Sequence, residues 1–214
     1  MSIVEKEISF SITNTYSTLF TLTKNTKNVW IVCHGLGYLS RYFIKHFNFL
    51  NPEENYVIAP QAHSKYYQST NFKHVGASWL TKENTETEIE NVLKNLDAIF
   101  KTENIPDDKN LIILGFSQGV SISTRWVIRR KIKCIKLIIF SGGLPNEFVK
   151  SDVDFLLKNK TEVYFLYGNN DEYITPKREK EELNKLNKLF GNYVTIRCFN
   201  GKHELRTDIL EDIK

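Results

Sequence analysis

No apolar run in this sequence approaches the ~20 residues that a bilayer-crossing helix requires, so no stable membrane insertion is expected. The opening residues, MSIVEKEISF, mix acids with bases and contain no apolar stretch of the kind a signal peptide carries. Cysteine is scarce. Cys33, Cys134 and Cys198 are an odd number without metal-type spacing, which predicts reduced thiols in a cytoplasmic protein. An excess of charge of one sign is also nearly absent: 29 Lys and Arg against 25 Asp and Glu leave +4, too mild to suggest nucleic acid as a partner. No internal repeat is visible, and no segment is of low complexity beyond a general enrichment in Lys and Asn. What remains is an ordinary globular composition, 41% hydrophobic and 25% charged, in a chain long enough for one domain spanning residues 1–214.

The stretch ISFSITNTYSTLFTLT (8–23) alternates polar and apolar residues and predicts an N-terminal antiparallel hairpin turning near Asn14. Beyond it, strand-like runs at 28–33, 56–59, 110–116, 135–141, 161–168 and 194–199 alternate with helical patterns near 39–50, 83–103, 118–131, 176–190 and 205–213. Runs such as LIIL and LIIF have no polar face, as expected for strands covered on both sides. The alternation predicts an α/β fold with a mostly parallel, doubly wound sheet. Cations in 125–136 would sit near a helix C-terminus and favour its dipole, with weak attraction to anionic surfaces as the other reading. The run 175–190 reads as an amphipathic helix with a charged face and no chemistry of its own.

Reactive groups in such sheets gather beyond the carboxyl ends of the strands. Three short sequences fall there: HGLGY after the first long strand, GFSQG after the third, and GNNDEY after the fifth. Gly115-Phe116-Ser117-Gln118-Gly119 has the G-x-S-x-G pattern of a nucleophile elbow and lies between a strand and a helix. The turn is so tight that the serine takes a strained backbone, and side chains two residues to either side would collide. The competing reading is a close-packed turn with no chemistry.

A nucleophilic serine on this architecture is followed in the chain by its acid and then its histidine. Of the five histidines, only His203 lies after Ser117; it sits in NGKHEL, beyond the last strand. Three aspartates lie between them. Asp152 and Asp154 resemble capping groups at the start of a short helix, whereas Asp171 ends YFLYGNND just past a buried strand. Asp171 is therefore the preferred orienting acid, with Glu172 the nearest competitor. The oxyanion donors would be the backbone N–H of Gln118, at a helix N-terminus, and that of Leu36 in the loop after the first long strand. His34 precedes the nucleophile and reads as a structural loop histidine.

HGLG (34–37), GFSQG (115–119), SGGLP (141–145), the acid in GNND (168–171) and GKH (201–203) together resemble the phospholipase/carboxylesterase family of α/β-hydrolases, from about residue 28 onward. That family includes acyl-protein thioesterases and small bacterial carboxylesterases. The resemblance implies an α/β-hydrolase fold and a serine esterase or thioesterase in which Ser117, Asp171 and His203 act together on a small-molecule ester or acyl substrate. It requires no metal or organic cofactor, and it leaves self-association into a homodimer open. Two departures stand out: Tyr38 occupies a position where the family commonly has aspartate, and in SWLTKE (78–83) Trp79 matches but the following acid is missing.

The span 142–160 is too short for a large cap domain. The long segment 62–80, rich in Tyr66, Tyr67, Phe72 and Trp79, is the remaining cover and is expected either to line an acyl pocket or to pack on the body. Tyr38, Trp79 and Leu144 are the expected pocket residues. Rival functions are weaker. Gly35 and Gly37 follow a strand as in a dinucleotide site, but Ser40 stands at the third-glycine position, and Glu53 and Glu54 precede the next strand rather than ending it. A peptidase, a dienelactone-type hydrolase or a non-catalytic module on the same fold remain the alternatives.

Overall fold

A computed structural model describes residues 2–214. The strands are β1 (Tyr16–Leu19), β2 (Asn28–Cys33), β3 (Asn55–Pro60), β4 (Ser64–Tyr67), β5 (Val75–Ser78), β6 (Asn110–Phe116), β7 (Lys136–Phe140), β8 (Glu162–Gly168) and β9 (Val194–Phe199). The helices are α1 (Ser40–Phe43), α2 (Thr85–Glu103), α3 (Gln118–Arg129), α4 (Lys150–Lys158), α5 (Pro176–Phe190) and α6 (Thr207–Glu211). Seven strands form one sheet in the order β1-β3-β2-β6-β7-β8-β9, while β4 and β5 pair separately as a hairpin. Every contact in the large sheet is parallel except β1 with β3. This is the α/β-hydrolase fold without a large cap, and no described helix is long and apolar enough to cross a membrane.

The continuous apolar runs are explained by burial on both faces. In β2, Val29, Ile31 and Cys33 join one cluster with α2, α3, α4 and α5, while Trp30 and Val32 join a second with α1 and α6. A strand with side chains alternating between two covered faces has no polar face to show. The helices are amphipathic for the complementary reason: Ile89, Val92, Leu93, Leu96 and Ile99 place one stripe of α2 in the core.

The hairpin expected at 8–23 does not form. Only β1 is regular, and it pairs with β3 across the sheet edge rather than with residues 8–13. Asn14, the expected turn, instead donates its side-chain amide to the Gln61 carbonyl at 2.7 Å. Alternation marks a segment that can be a strand, but the ladder also needs a partner, and residues 2–13 are exposed throughout. The helix expected at 39–50 shortens to α1 followed by a 3-10 turn at Ile44–Phe47. The segment 62–80, for which the sequence predicts no regular element, carries the β4–β5 hairpin.

Candidate active site

The strand order reverses at β2: the chain first steps outward to β3 and later returns on the other side as β6. The crevice beyond the carboxyl ends of the two strands at such a reversal is where α/β sheets hold ligands. Cys33 and Gly115 are in register there, so the loop His34-Gly35-Leu36-Gly37 and the turn at Ser117 leave the sheet side by side.

Ser117 has φ 53° and ψ −119°, a conformation that L-residues seldom adopt. Its own N–H is held by the Phe140 carbonyl at 2.9 Å, which fixes the bend against β7. The flanking glycines are required by contact. A Cβ on Gly115 would lie 2.3 Å from Ser123 Oγ, and one on Gly119 would lie 2.1 Å from the Cys33 carbonyl oxygen. The helix α3 can therefore approach β2 closely only through Gly119.

The three residues singled out by chain order meet in one line. His203 Nε2 lies 2.8 Å from Ser117 Oγ, and His203 Nδ1 lies 2.8 Å from Asp171 Oδ2. The carboxylate facing Nδ1 places the ring proton there and leaves Nε2 free to accept from the serine hydroxyl. Asp171 is fully buried, and its second oxygen accepts the backbone N–H groups of Tyr173 (2.8 Å) and Ile174 (3.2 Å). Asp171 thus has one oxygen to anchor the loop and one for the imidazole. The ring of His203 rests between Phe116 (5.2 Å between centroids) and Tyr173 (4.6 Å, edge-on). Glu172, the competing acid, is exposed. Asp152 caps α4 by accepting the Val149 N–H at 2.9 Å.

A cleft of about 440 Å³ opens over Ser117 and His203, and both Leu36 and Gln118 line it. Neither of their backbone N–H groups has a hydrogen-bond partner among the described residues, as donors reserved for a developing oxyanion require. The loop bearing Leu36 is rigid from below. His34 is fully buried, donates Nδ1–H to the Gly35 carbonyl (2.8 Å), accepts the Ala62 N–H at Nε2 (3.2 Å) and stacks on Trp79 at 4.8 Å. Burial lowers its pKa from the ordinary 6.5 to about 4, so the ring is neutral and structural.

Two of the three expected pocket residues are buried below the cleft. Trp79 is fully buried and donates its indole N–H to the His34 carbonyl at 2.7 Å, so it supports the loop below the cleft and does not face it. Leu144 is buried in the large core cluster, with its N–H on Glu182 at 2.9 Å. Tyr38 is partly exposed and packs edge-on against Phe43 and against Phe116, which itself adjoins His203. Aromatic and aliphatic side chains read alike in sequence whether they face a ligand or the core.

Other residues were not foreseen. The Gln118 side chain accepts the Trp79 N–H (2.9 Å) and donates to the Leu80 carbonyl (2.8 Å), tying the end of the β4–β5 hairpin to the first turn of α3. Tyr173, Ser141 and Arg178 line the cleft. Arg178 belongs to the helix expected to carry no chemistry; Thr175 caps that helix and Pro176 opens it, which brings its first turn back over the loop of Asp171.

A profile of the phospholipase/carboxylesterase family matches residues 14–214. No curated protein matches the sequence. Among solved structures, acyl-protein thioesterase 2 of Zea mays superposes with a TM-score of 0.72 at 15% identity, over 94% of this chain and 96% of that one. Esterase PE8 gives 0.64 at 19% identity over 95% and 100% of the two chains. The phospholipase/carboxylesterase of Dyadobacter fermentans gives 0.62 at 19% identity over 96% of each. At such identities the likeness is one of fold.

Proposed function

The chain belongs to the phospholipase/carboxylesterase family, and from that premise we propose that it is a serine hydrolase cleaving carboxylic esters or thioesters through an acyl-enzyme on Ser117. The observation that carries the reading is the unbroken line from Ser117 Oγ to His203 to Asp171, 2.8 Å at each step. His203 Nε2 removes the hydroxyl proton as Oγ attacks the acyl carbonyl. The oxyanion that forms is met by the Leu36 and Gln118 N–H groups, the latter at the positive end of α3. His203 then returns the proton to the departing alkoxide or thiolate. Water enters against the acyl-enzyme by the same route, and Ser117 is regenerated. Asp171 holds the imidazole in the tautomer the sequence of steps needs.

The test is turnover of a chromogenic short-chain ester by Ser117→Ala. Its kcat is expected to fall by roughly three to six orders of magnitude, with loss of labelling by a fluorophosphonate. Hydrolysis near the wild-type rate in this variant would remove Ser117 as the nucleophile. A panel of oxygen and sulfur esters of increasing acyl length then separates esterase from thioesterase.

A further inference from the structure

The cleft over Ser117 is uncharged or titratable everywhere but at one point. Among its lining residues Arg178 alone carries a permanent charge. Its Nη1 donates to the Tyr173 carbonyl at 3.1 Å, and its Nη2 lies 3.0 Å from the position of a Cβ on Gly143. Gly143 adjoins Gly142, whose own missing Cβ would fall 2.4 Å from the Ser117 carbonyl oxygen. These contacts set the guanidinium on the wall of the cleft beside the nucleophile.

Two carboxylates of this region, those of Glu182 and Asp171, are already engaged. Glu182, which also faces Gly143, is buried and holds Lys185 Nζ at 2.7 Å through one oxygen and the Leu144 N–H at 2.9 Å through the other. Asp171 is committed to His203. Arg178 forms no ion pair among the described residues, and with five N–H donors and one backbone acceptor it has donors to spare. A second unmatched group lines the same cleft: the Ser141 hydroxyl is buried and has no hydrogen-bond partner among the described residues. Buried polar groups without partners are uncommon, and one that lines a cleft is placed to meet a polar atom of a ligand.

We infer that the substrate bears an anionic group, a carboxylate or phosphate, that Arg178 holds while the ester carbonyl lies at Ser117. The inference rests on the hydrolase reading of that serine. A planar guanidinium matches such an anion through paired N–H donors. The anion can belong to the acyl part or to the leaving group, and matched substrates distinguish the two.

The experiment compares kcat/KM for para-nitrophenyl hydrogen glutarate with that for para-nitrophenyl valerate, and for para-acetoxybenzoate with that for its methyl ester. In Arg178→Gln the charged-over-neutral ratio is expected to fall about 10- to 100-fold in one of the two pairs. Arg178→Lys should recover part of it, and in the wild type the ratio should shrink as salt rises from about 0.05 M to about 0.5 M. If Arg178 only braces the Tyr173 loop, both members of each pair fall together, neither ratio moves by more than twofold, and the inference is overturned with the hydrolase reading intact. If instead no ester is turned over and fluorophosphonate leaves Ser117 unlabelled, the hydrolase reading fails. Calorimetric titration with glutarate still tests the anion site in that case: binding lost in Arg178→Gln supports it, and no binding to the wild type overturns it.

Discussion

A serine with φ 53° and ψ −119° stores strain that its neighbours must hold in place. Backbone conformations of this kind cost about 1–3 kcal/mol in a residue with a Cβ. Replacing Ser117 by glycine removes that cost, and the melting temperature is expected to rise by about 2–4 °C per kcal/mol recovered, even as fluorophosphonate labelling disappears. Calorimetry checks this; a lower melting temperature would mean the bend is not strained. His34 supplies a second test. Its folded pKa, near 4, lies below the ordinary 6.5, so between those values the unfolded chain binds a proton that the folded one refuses. Stability is therefore complete above pH 6.5, is lost as pH falls toward 4, and levels off below, by roughly 3 kcal/mol at 1.36 kcal/mol per pH decade. Urea midpoints across that range measure the slope, and an NMR titration of the His34 ring with a midpoint near 6.5 would refute it. The residues Ser117, Asp171 and His203 were legible in sequence because chain order and the elbow pattern constrain them before any packing is known. Arg178 and Ser141 were not, since each acquires its position only when α5 and β7 converge on the cleft. Trp79 and Leu144 were misplaced for the converse reason: nothing local separates a wall from a foundation.

Between elements, the critical contact is the approach of α3 to β2. The backbone oxygens of Cys33 and His34 would lie 2.1 and 2.6 Å from a Cβ at residue 119, and backbone cannot swing aside as a side chain does. Gly119→Ala must therefore displace the first turn of α3, which carries the Gln118 N–H, away from the loop that carries the Leu36 N–H. We expect a loss of about 1–3 kcal/mol, read from urea denaturation, together with a fall in kcat that exceeds any rise in KM, because the displaced donors meet only the transition state. A fall confined to KM would instead place the damage in ground-state binding. The strands β2 and β6 and the helix α5 were legible to their ends, because two covered faces leave unbroken apolar runs in the strands and because Thr175-Pro176 and Gly191 punctuate the helix. The hairpin at 8–23 was misread: a period of two shows that a segment can be pleated without showing what pairs with it. The β4–β5 hairpin was hidden for a related reason. It lies in a polar stretch whose exposed β4 shows little alternation in hydrophobicity, and its end is fixed by Gln118, 40 residues away from Ser78.

At the scale of the molecule, the sheet supplies its own edges and its own site. The reversal at β2 sets the crevice in the middle of the sheet, while β1 and β9 form its two edges. Stability comes from the two clusters on either side of the sheet, and neither includes a residue before Tyr16. Residues 2–13 are exposed along their whole length, with Ile3 at 92%, Ile8 at 87% and Phe10 at 79% of full exposure. Side chains so exposed transfer almost no apolar surface out of water and add little to the folding free energy. Asn14 is the first of the described residues with a long-range tie, through Gln61, so a chain beginning there keeps the edge strand and its anchor. Removal of residues 2–13 is accordingly expected to leave the melting temperature within about 2 °C, since surface changes away from packed features stay within about 0.5 kcal/mol, and to leave ester turnover unaltered. It should also lower the tendency to associate at high concentration, because alternating exposed Ile8, Phe10 and Ile12 beside an open sheet edge offer another copy a strand to pair with. Scanning calorimetry and sedimentation of the shortened chain decide both points: a melting temperature lower by more than about 5 °C would show that the segment packs against the body, and the sheet would then have a further strand at its β1 margin.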